Sequence, residues 1–255
     1  MAGNEIEVVQ YLLRNQKSVH LRHIGQINEV KAPSGFILTK PEDSERISTQ
    51  DSRKKADVYI NGKGVSIKQM GGSFAFNRLQ RAELEKTLQL LEISNLNNII
   101  KNLDTEVKKF HEGLLDSRNR KWSDFYSEDQ FFILLEFLMM KGSPNEGFSR
   151  NQASLILEAS KKIKSPDDIE VYNFNEYFDK YKAIFKIAIR RQWVGQKSES
   201  EHKRALGLSR KLGNAPWIFG DVKGEPSTGW RKEFPLKDRK TVYFLMIEKE
   251  KNQRI

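Results

Sequence analysis

The chain has 255 residues, with 44 Lys and Arg against 34 Asp and Glu, no Cys and 38% hydrophobic residues. That length allows one large domain or two small ones with an unaided core, and the lack of Cys excludes disulfide scaffolds and cysteine-ligated zinc or iron-sulfur centres. The formal charge of +10 points to a polyanionic partner, because Lys and Arg gain free energy when they displace counterions from nucleic acid.

Asn4 to Asn15 is expected to be an amphipathic helix, with Ile6, Val9, Leu12 and Leu13 on one side and Asn4 with Glu7 as a capping box. Val19–Ile24 and Gly35–Thr39 are strand candidates around the turn-rich APSG. Lys40–Lys55 is polar and is expected to be a surface loop ending in the basic cluster Arg53-Lys54-Lys55. Ala56–Gln69 contains two β-branched runs around Asn61-Gly62, a dipeptide that favours a tight hairpin because both residues tolerate positive φ. A helix is expected over Ser73–Leu91, and further helices over Leu96–Leu115, Ser127–Met140 and Ser149–Lys162. Asn173–Arg190 is ambiguous, and the end returns to strand, most strongly at TVYFLMIEK. No apolar run is long enough to cross a bilayer, Phe131–Met140 being the closest. The acidic opening MAGNEIEVV has the pattern of neither a signal nor a transit peptide, so a cytoplasmic protein is expected.

The hairpin carries the chemistry. Directly opposed residues of an antiparallel pair share a face and successive residues alternate. With Asn61-Gly62 or Gly62-Lys63 as the loop, Asp57, Tyr59, Ser66 and Lys68 fall on one face, and Val58, Ile60, Val65 and Ile67 fall on the other. An aspartate and a lysine are thus cross-strand neighbours above a sheet whose reverse is core. On a solvated face such a pair is worth only about 0.2 to 1 kcal/mol. On a rigid support it is also what metal-dependent phosphodiester hydrolysis needs. A carboxylate binds Mg²⁺, while an ammonium orients water and offsets charge building on phosphate.

Asp57, a short hairpin, then Ser66-Ile67-Lys68 resembles the PD-(D/E)xK nuclease motif, found in many type II restriction endonucleases, Holliday junction resolvases and repair nucleases. The resemblance covers about residues 3 to 90. It implies an α/β fold, a mixed central sheet flanked by helices. Core elements are expected at about 1–92 and 214–250, with a helical insertion at about 93–212, in one nuclease domain. GNEIEVVQYLL resembles the first helix of that fold, where a glutamate joins the metal site. By position this is Glu7, with Glu5 second, and the helical wheel places Glu5 nearer the apolar side. SIKQ, with Gln69 after the lysine, resembles a variant of the motif. The helix expected after it, from Ser73, carries Asn77, Arg78 and Arg81 where restriction endonucleases place contacts to DNA.

Two positions depart from the pattern. Ala56 replaces the proline, and Ser66 stands where the motif has Glu or Asp, so one metal-binding carboxylate is missing. Some restriction endonucleases that resemble this pattern take it from the following helix. Glu83 is the candidate, because a continuous helix from Ser73 puts it inside the apolar arc with Leu79, where a carboxylate needs a partner or a metal.

The resemblance implies a Mg²⁺-dependent type II restriction endonuclease that cuts double-stranded DNA as a homodimer, the simplest arrangement for a two-fold symmetric site. Asp57, Glu7 and Glu83 would bind Mg²⁺, Lys68 would position the attacking water, and Ser66 and Gln69 would hold the ammonium or a water. Lys54, Lys55, Ser73, Asn77, Arg78 and Arg81 would contact DNA. A resolvase or repair nuclease of the same fold, and a non-catalytic DNA-binding protein, are the alternatives. The length beyond the motif favours restriction over a minimal resolvase. The loop GEPSTGWRKEF, with Trp230 and Arg231, resembles one before the final strand of several restriction endonucleases.

Overall fold

The computed structural model describes residues 4–47, 54–71, 75–111, 114, 119–144, 146–192 and 242–249. Ser73, Arg53, Trp230 and Arg231 lie outside them. The chain forms two compact units, one of residues 1–74, 132–185 and 249–255, the other of 75–131 and 186–248.

The first unit begins with helix α1 (Glu5–Arg14), whose buried Val8, Val9, Leu12 and Leu13 make the apolar stripe expected from the 3.6-residue period. The capping box does not form. Asn4 makes no side-chain cap hydrogen bond; its Nδ2 instead donates to the Ser160 carbonyl at 2.7 Å, tying the start of α1 to a distant segment. Strands β1 (Val30–Lys31), β2 (Val58–Ile60) and β3 (Lys63–Gln69) form an antiparallel meander. Of the two early strand candidates, His20–Leu21 pairs briefly with Gly25–Gln26, and Ile37 makes only an isolated bridge to Lys31. The expected polar loop holds a 3₁₀ helix over Pro41–Ile47.

In the hairpin Ile60 faces Lys63 and Val58 faces Val65, so the loop is Asn61-Gly62. Both loop residues have positive φ, 49° and 78°, as a type I′ turn requires. The Asn61 side chain also accepts from the Asn28 and Glu29 N–H groups at 2.9 and 3.1 Å and donates to the Gln26 carbonyl, fastening the turn to the chain before β1.

Beyond residue 75 the expectations diverge. Residues 75–80 form strand β4 (Ala75–Gln80), not helix, and helix α2 starts only at Arg81, running to Leu90. Helix α3 (Leu96–His111) follows, then strand β5 (Asn119–Lys121) and helix α4 (Glu128–Glu136), which continues as one π-turn over Phe137–Lys141. The helix expected over Ser149–Lys162 is instead strand β6 (Leu155–Ala159), buried throughout and parallel to β3. Strand β7 (Ile169–Tyr172), helix α5 (Phe174–Tyr181), strand β8 (Phe185–Gln192) and strand β9 (Val242–Lys249) complete the chain.

The region expected to be a helical insertion is therefore mixed, and the two units divide its strands. The first unit holds a five-stranded mixed sheet in the order β7-β6-β3-β2-β1. The second is built on a four-stranded sheet in the order β4-β9-β8-β5, so the C-terminal strand is not part of the hairpin's sheet.

One face of the five-stranded sheet is core. Val58, Ile60, Val65, Ile67, Leu155, Leu157, Ala159, Ile169 and Val171 are buried in one cluster with the apolar side of α1. Such burial contributes roughly 1.5 to 3 kcal/mol for each large aliphatic side chain. On the opposite face α5 packs its Tyr177 ring 5.9 Å from Tyr172. The sheet is thus mixed and flanked by helices.

Candidate active site

Asp57 lies in a bend immediately before β2, and its backbone N–H donates to the Val65 carbonyl at 2.8 Å. Its carboxylate extends the ladder in place of backbone. Oδ2 accepts from the Ile67 N–H at 2.8 Å and, at a long 3.5 Å, from the Ser66 hydroxyl. These bonds hold Asp57 against β3, on which Lys68 is two residues from Ser66. Ser66 is buried at 2% exposure and its hydroxyl turns to Asp57, so it supports the carboxylate; its expected role was to hold the ammonium or a water. Gln69 fails in that role for another reason: strand alternation puts it on the face opposite Lys68, opposed by the core residue Ala159.

The N-terminal turn of α1 brings a second carboxylate. Glu5 is half-buried, and burial first, then the Asp57 charge, raise its carboxyl above the usual range, while Lys68 and Lys54 pull it back. Glu7 is exposed. Of the two glutamates it is thus Glu5, second in the expected order, that lies on the inward side of α1, as its place near the apolar arc of the helix requires.

Glu83 lies in the first turn of α2, in the second unit, and is half-buried. The helical wheel that pointed to it fails, because Phe76 and Leu79 belong to β4. Asn77 and Arg78 are also in β4, and Arg81 opens α2, so no single helix face carries the three.

Of the basic cluster, Lys55 is buried and donates to the Leu138 carbonyl at 2.8 Å. Burial, with help from Lys68, lowers its ammonium to about 8. It is a packed structural group and does not offer itself to DNA. Lys54 donates to the Ile47 carbonyl at 2.7 Å and is half-buried.

One residue of this face had no sequence signal. Glu158 on β6 pairs in register with Lys68 on β3. It is fully buried, and its oxygens accept from the Tyr177 hydroxyl at 3.4 Å and from the Tyr181 hydroxyl of α5. Reading LILEA as helix hid it; read as a short apolar run it fits a buried parallel strand. The Lys68 ammonium itself makes no hydrogen bond or ion pair among the described residues.

Among the described residues no group of three His, Asp or Glu side chains is set to hold a metal ion. The pair Glu5 and Asp57 still suits Mg²⁺, which uses one or two carboxylates and completes its octahedron with water and substrate phosphate. Glu5, raised first by burial and then by the Asp57 charge, would be stabilised in its ionised form by a cation beside it. Compared with known protein families, curated proteins and solved structures, the chain matches none. No helix among the described residues is long and apolar enough to cross a membrane.

Proposed function

We propose that the protein is a Mg²⁺-dependent endonuclease acting on double-stranded DNA, sequence-specific in the manner of type II restriction enzymes and working as a homodimer. The observation that carries this reading is the Asp57 carboxylate fixed at the polar edge of the β2–β3 hairpin, on the face that also carries Lys68 and whose reverse is core, with the Glu5 carboxyl feeling both charges. That edge is rigid, since Asp57 is fixed by the backbone of β3, and rigidity is what positions reacting groups. The net charge of +10 suits a polyanionic substrate.

Asp57 and Glu5 hold the ion. When bound, Mg²⁺ supplies polarisation of a phosphate oxygen and a counter-charge to the transition state. Lys68 orients the attacking water and offsets charge developing on the phosphate. Ser66 steadies Asp57 through its hydroxyl. Arg78, Arg81 and Asn77 remain the proposed DNA contacts of the second unit, and Lys54, three residues before Asp57, one of the first unit.

Incubation of plasmid and phage DNA with the purified chain, with Mg²⁺ and with EDTA, tests the proposal. Discrete fragments that require Mg²⁺ are expected. Cutting confined to branched substrates would make it a structure-specific nuclease of the same chemistry, and retention of DNA without scission would make it a binding protein.

A further inference from the structure

After the π-turn the chain makes a two-residue antiparallel ribbon, Gly142–Ser143 with Gly147–Phe148. Between this ribbon and the following segment lies a cavity of about 420 Å³ whose lining includes Ser143, Glu146, Phe148, Arg150 and Asn151, a volume within the range of small-ligand sites.

Its walls are built. Phe148 is 53% exposed, an unusual state for Phe, and its ring is carried edge-on by the buried Phe137 at 5.3 Å and 84°. The support depends on Gly142, because a Cβ there would meet the Phe137 ring and the Gly147 carbonyl at 2.3 Å. Asn151 is held from two sides. Its carbonyl accepts from the Lys55 and Ala56 N–H groups at 2.9 Å each, and its Oδ1 accepts from the Tyr59 hydroxyl at 3.2 Å. With Oδ1 engaged, the Nδ2 group is the part of the amide left to donate; among the described residues it makes no hydrogen bond. Arg150 is exposed and makes no ion pair among the described residues.

A flat aromatic platform and an amide donor lining one cavity suit a heteroaromatic ring with acceptors on its edge. Arg150, also in the lining and exposed, favours a phosphate beside that ring. Asn151 is fastened to the segment that carries Asp57, so the cavity adjoins the candidate active site. We propose that this cavity takes one unpaired nucleobase of a DNA strand, stacked on Phe148 and hydrogen-bonded to Asn151 Nδ2, with the adjoining phosphate on Arg150.

This inference rests on the nuclease reading, which supplies DNA as the ligand. A base that leaves its stack loses pairing and stacking, and a prepared pocket compensates for part of that loss. Fluorescence anisotropy of a short fluorescein-labelled single strand in Ca²⁺ tests it, with a strand of abasic residues as the control and plasmid cleavage in Mg²⁺ measured on the same preparations. Phe148→Ala is expected to weaken binding of the normal strand roughly 5- to 150-fold, Phe148→Tyr to restore it, and neither to change binding of the abasic strand. Asn151→Asp keeps the acceptor for Tyr59 but removes the donor, and is expected to weaken the normal strand roughly 5-fold or more. If the wild type cuts DNA while Phe148→Ala and Asn151→Asp bind both strands as it does, the pocket assignment is wrong and the nuclease reading stands. Equal weakening on both strands also overturns the pocket. A wild type that neither cuts nor binds DNA overturns both.

Discussion

The two faces of the five-stranded sheet come from the same strands, one residue apart, and are stabilised in different ways. The face of Val58, Ile60, Val65, Ile67, Leu155 and Leu157 is closed by α1 and needs no specific partner for any side chain. On the face of Tyr59, Ser66, Lys68 and Glu158, burial has to be matched group by group. Tyr59 finds Asn151, Ser66 finds Asp57, and Glu158 finds two tyrosines of α5. Lys68 has no such partner among the described residues. Its charge acts instead on the Glu5 carboxyl, and this concentration of ionisable groups sets the polar face apart from the apolar one.

Substitutions separate the two faces. The largest effect is expected from Lys68→Ala, a loss of roughly 10²- to 10⁴-fold in the rate of DNA cleavage with thermal stability near that of the wild type. A loss of fold in that variant would place Lys68 among the structural residues. Ile60, fully buried on the other face, behaves in the opposite way. Ile60→Ala is expected to lower unfolding free energy by about 2 to 5 kcal/mol in urea titrations, while the folded fraction keeps its specific activity.

Within the polar face, Glu5→Gln is expected to raise the Mg²⁺ concentration for half-maximal cleavage by roughly 10- to 100-fold, and Glu7→Gln to leave it unchanged; the reverse result would restore the order expected from the sequence. The raised Glu5 carboxyl adds a sign: the side chain binds metal only when ionised, so Mg²⁺ affinity rises with pH through its titration.

The smallest effect concerns Lys55. Its folded value of about 8 lies below the ordinary 10.5. The folded state therefore binds fewer protons between those values, and the cost of burying the charge, full below pH 8, fades as pH rises. Relative to Lys55→Met, the wild type is expected to gain about 2 kcal/mol between pH 7 and pH 9.5. Unfolding free energies that move in parallel would show that Lys55 is not desolvated.

The hairpin was legible because two local signals agree there. A period-2 pattern and an Asn-Gly turn fix register with no reference to the rest of the chain, and Val58, Ile60, Val65 and Ile67 fall on the core face as that parity requires. Elements whose state is set by distant partners were not legible. Phe76 and Leu79 fit a helix spacing, but the segment pairs with β9, where Leu245 lies opposite Leu79. Leu155–Ala159 fits helix and strand alike, and its parallel partner is β3. Glu158 became visible only with that pairing. Glu7 ranks first by position in the family resemblance, whereas the helical period, a local signal, already places Glu5 nearer the apolar side, where the structure half-buries it.

The central claim is that Asp57, held on the edge of β3, is the acid of a metal-dependent site. Side-by-side digestion of plasmid DNA by the wild type and Asp57→Asn, over a Mg²⁺ titration and with melting curves of both proteins, tests it most directly. The expected result is Mg²⁺-dependent fragments from the wild type and none from a folded Asp57→Asn protein. Equal cutting by the two proteins, or a wild type that leaves DNA whole at every Mg²⁺ concentration, would contradict it.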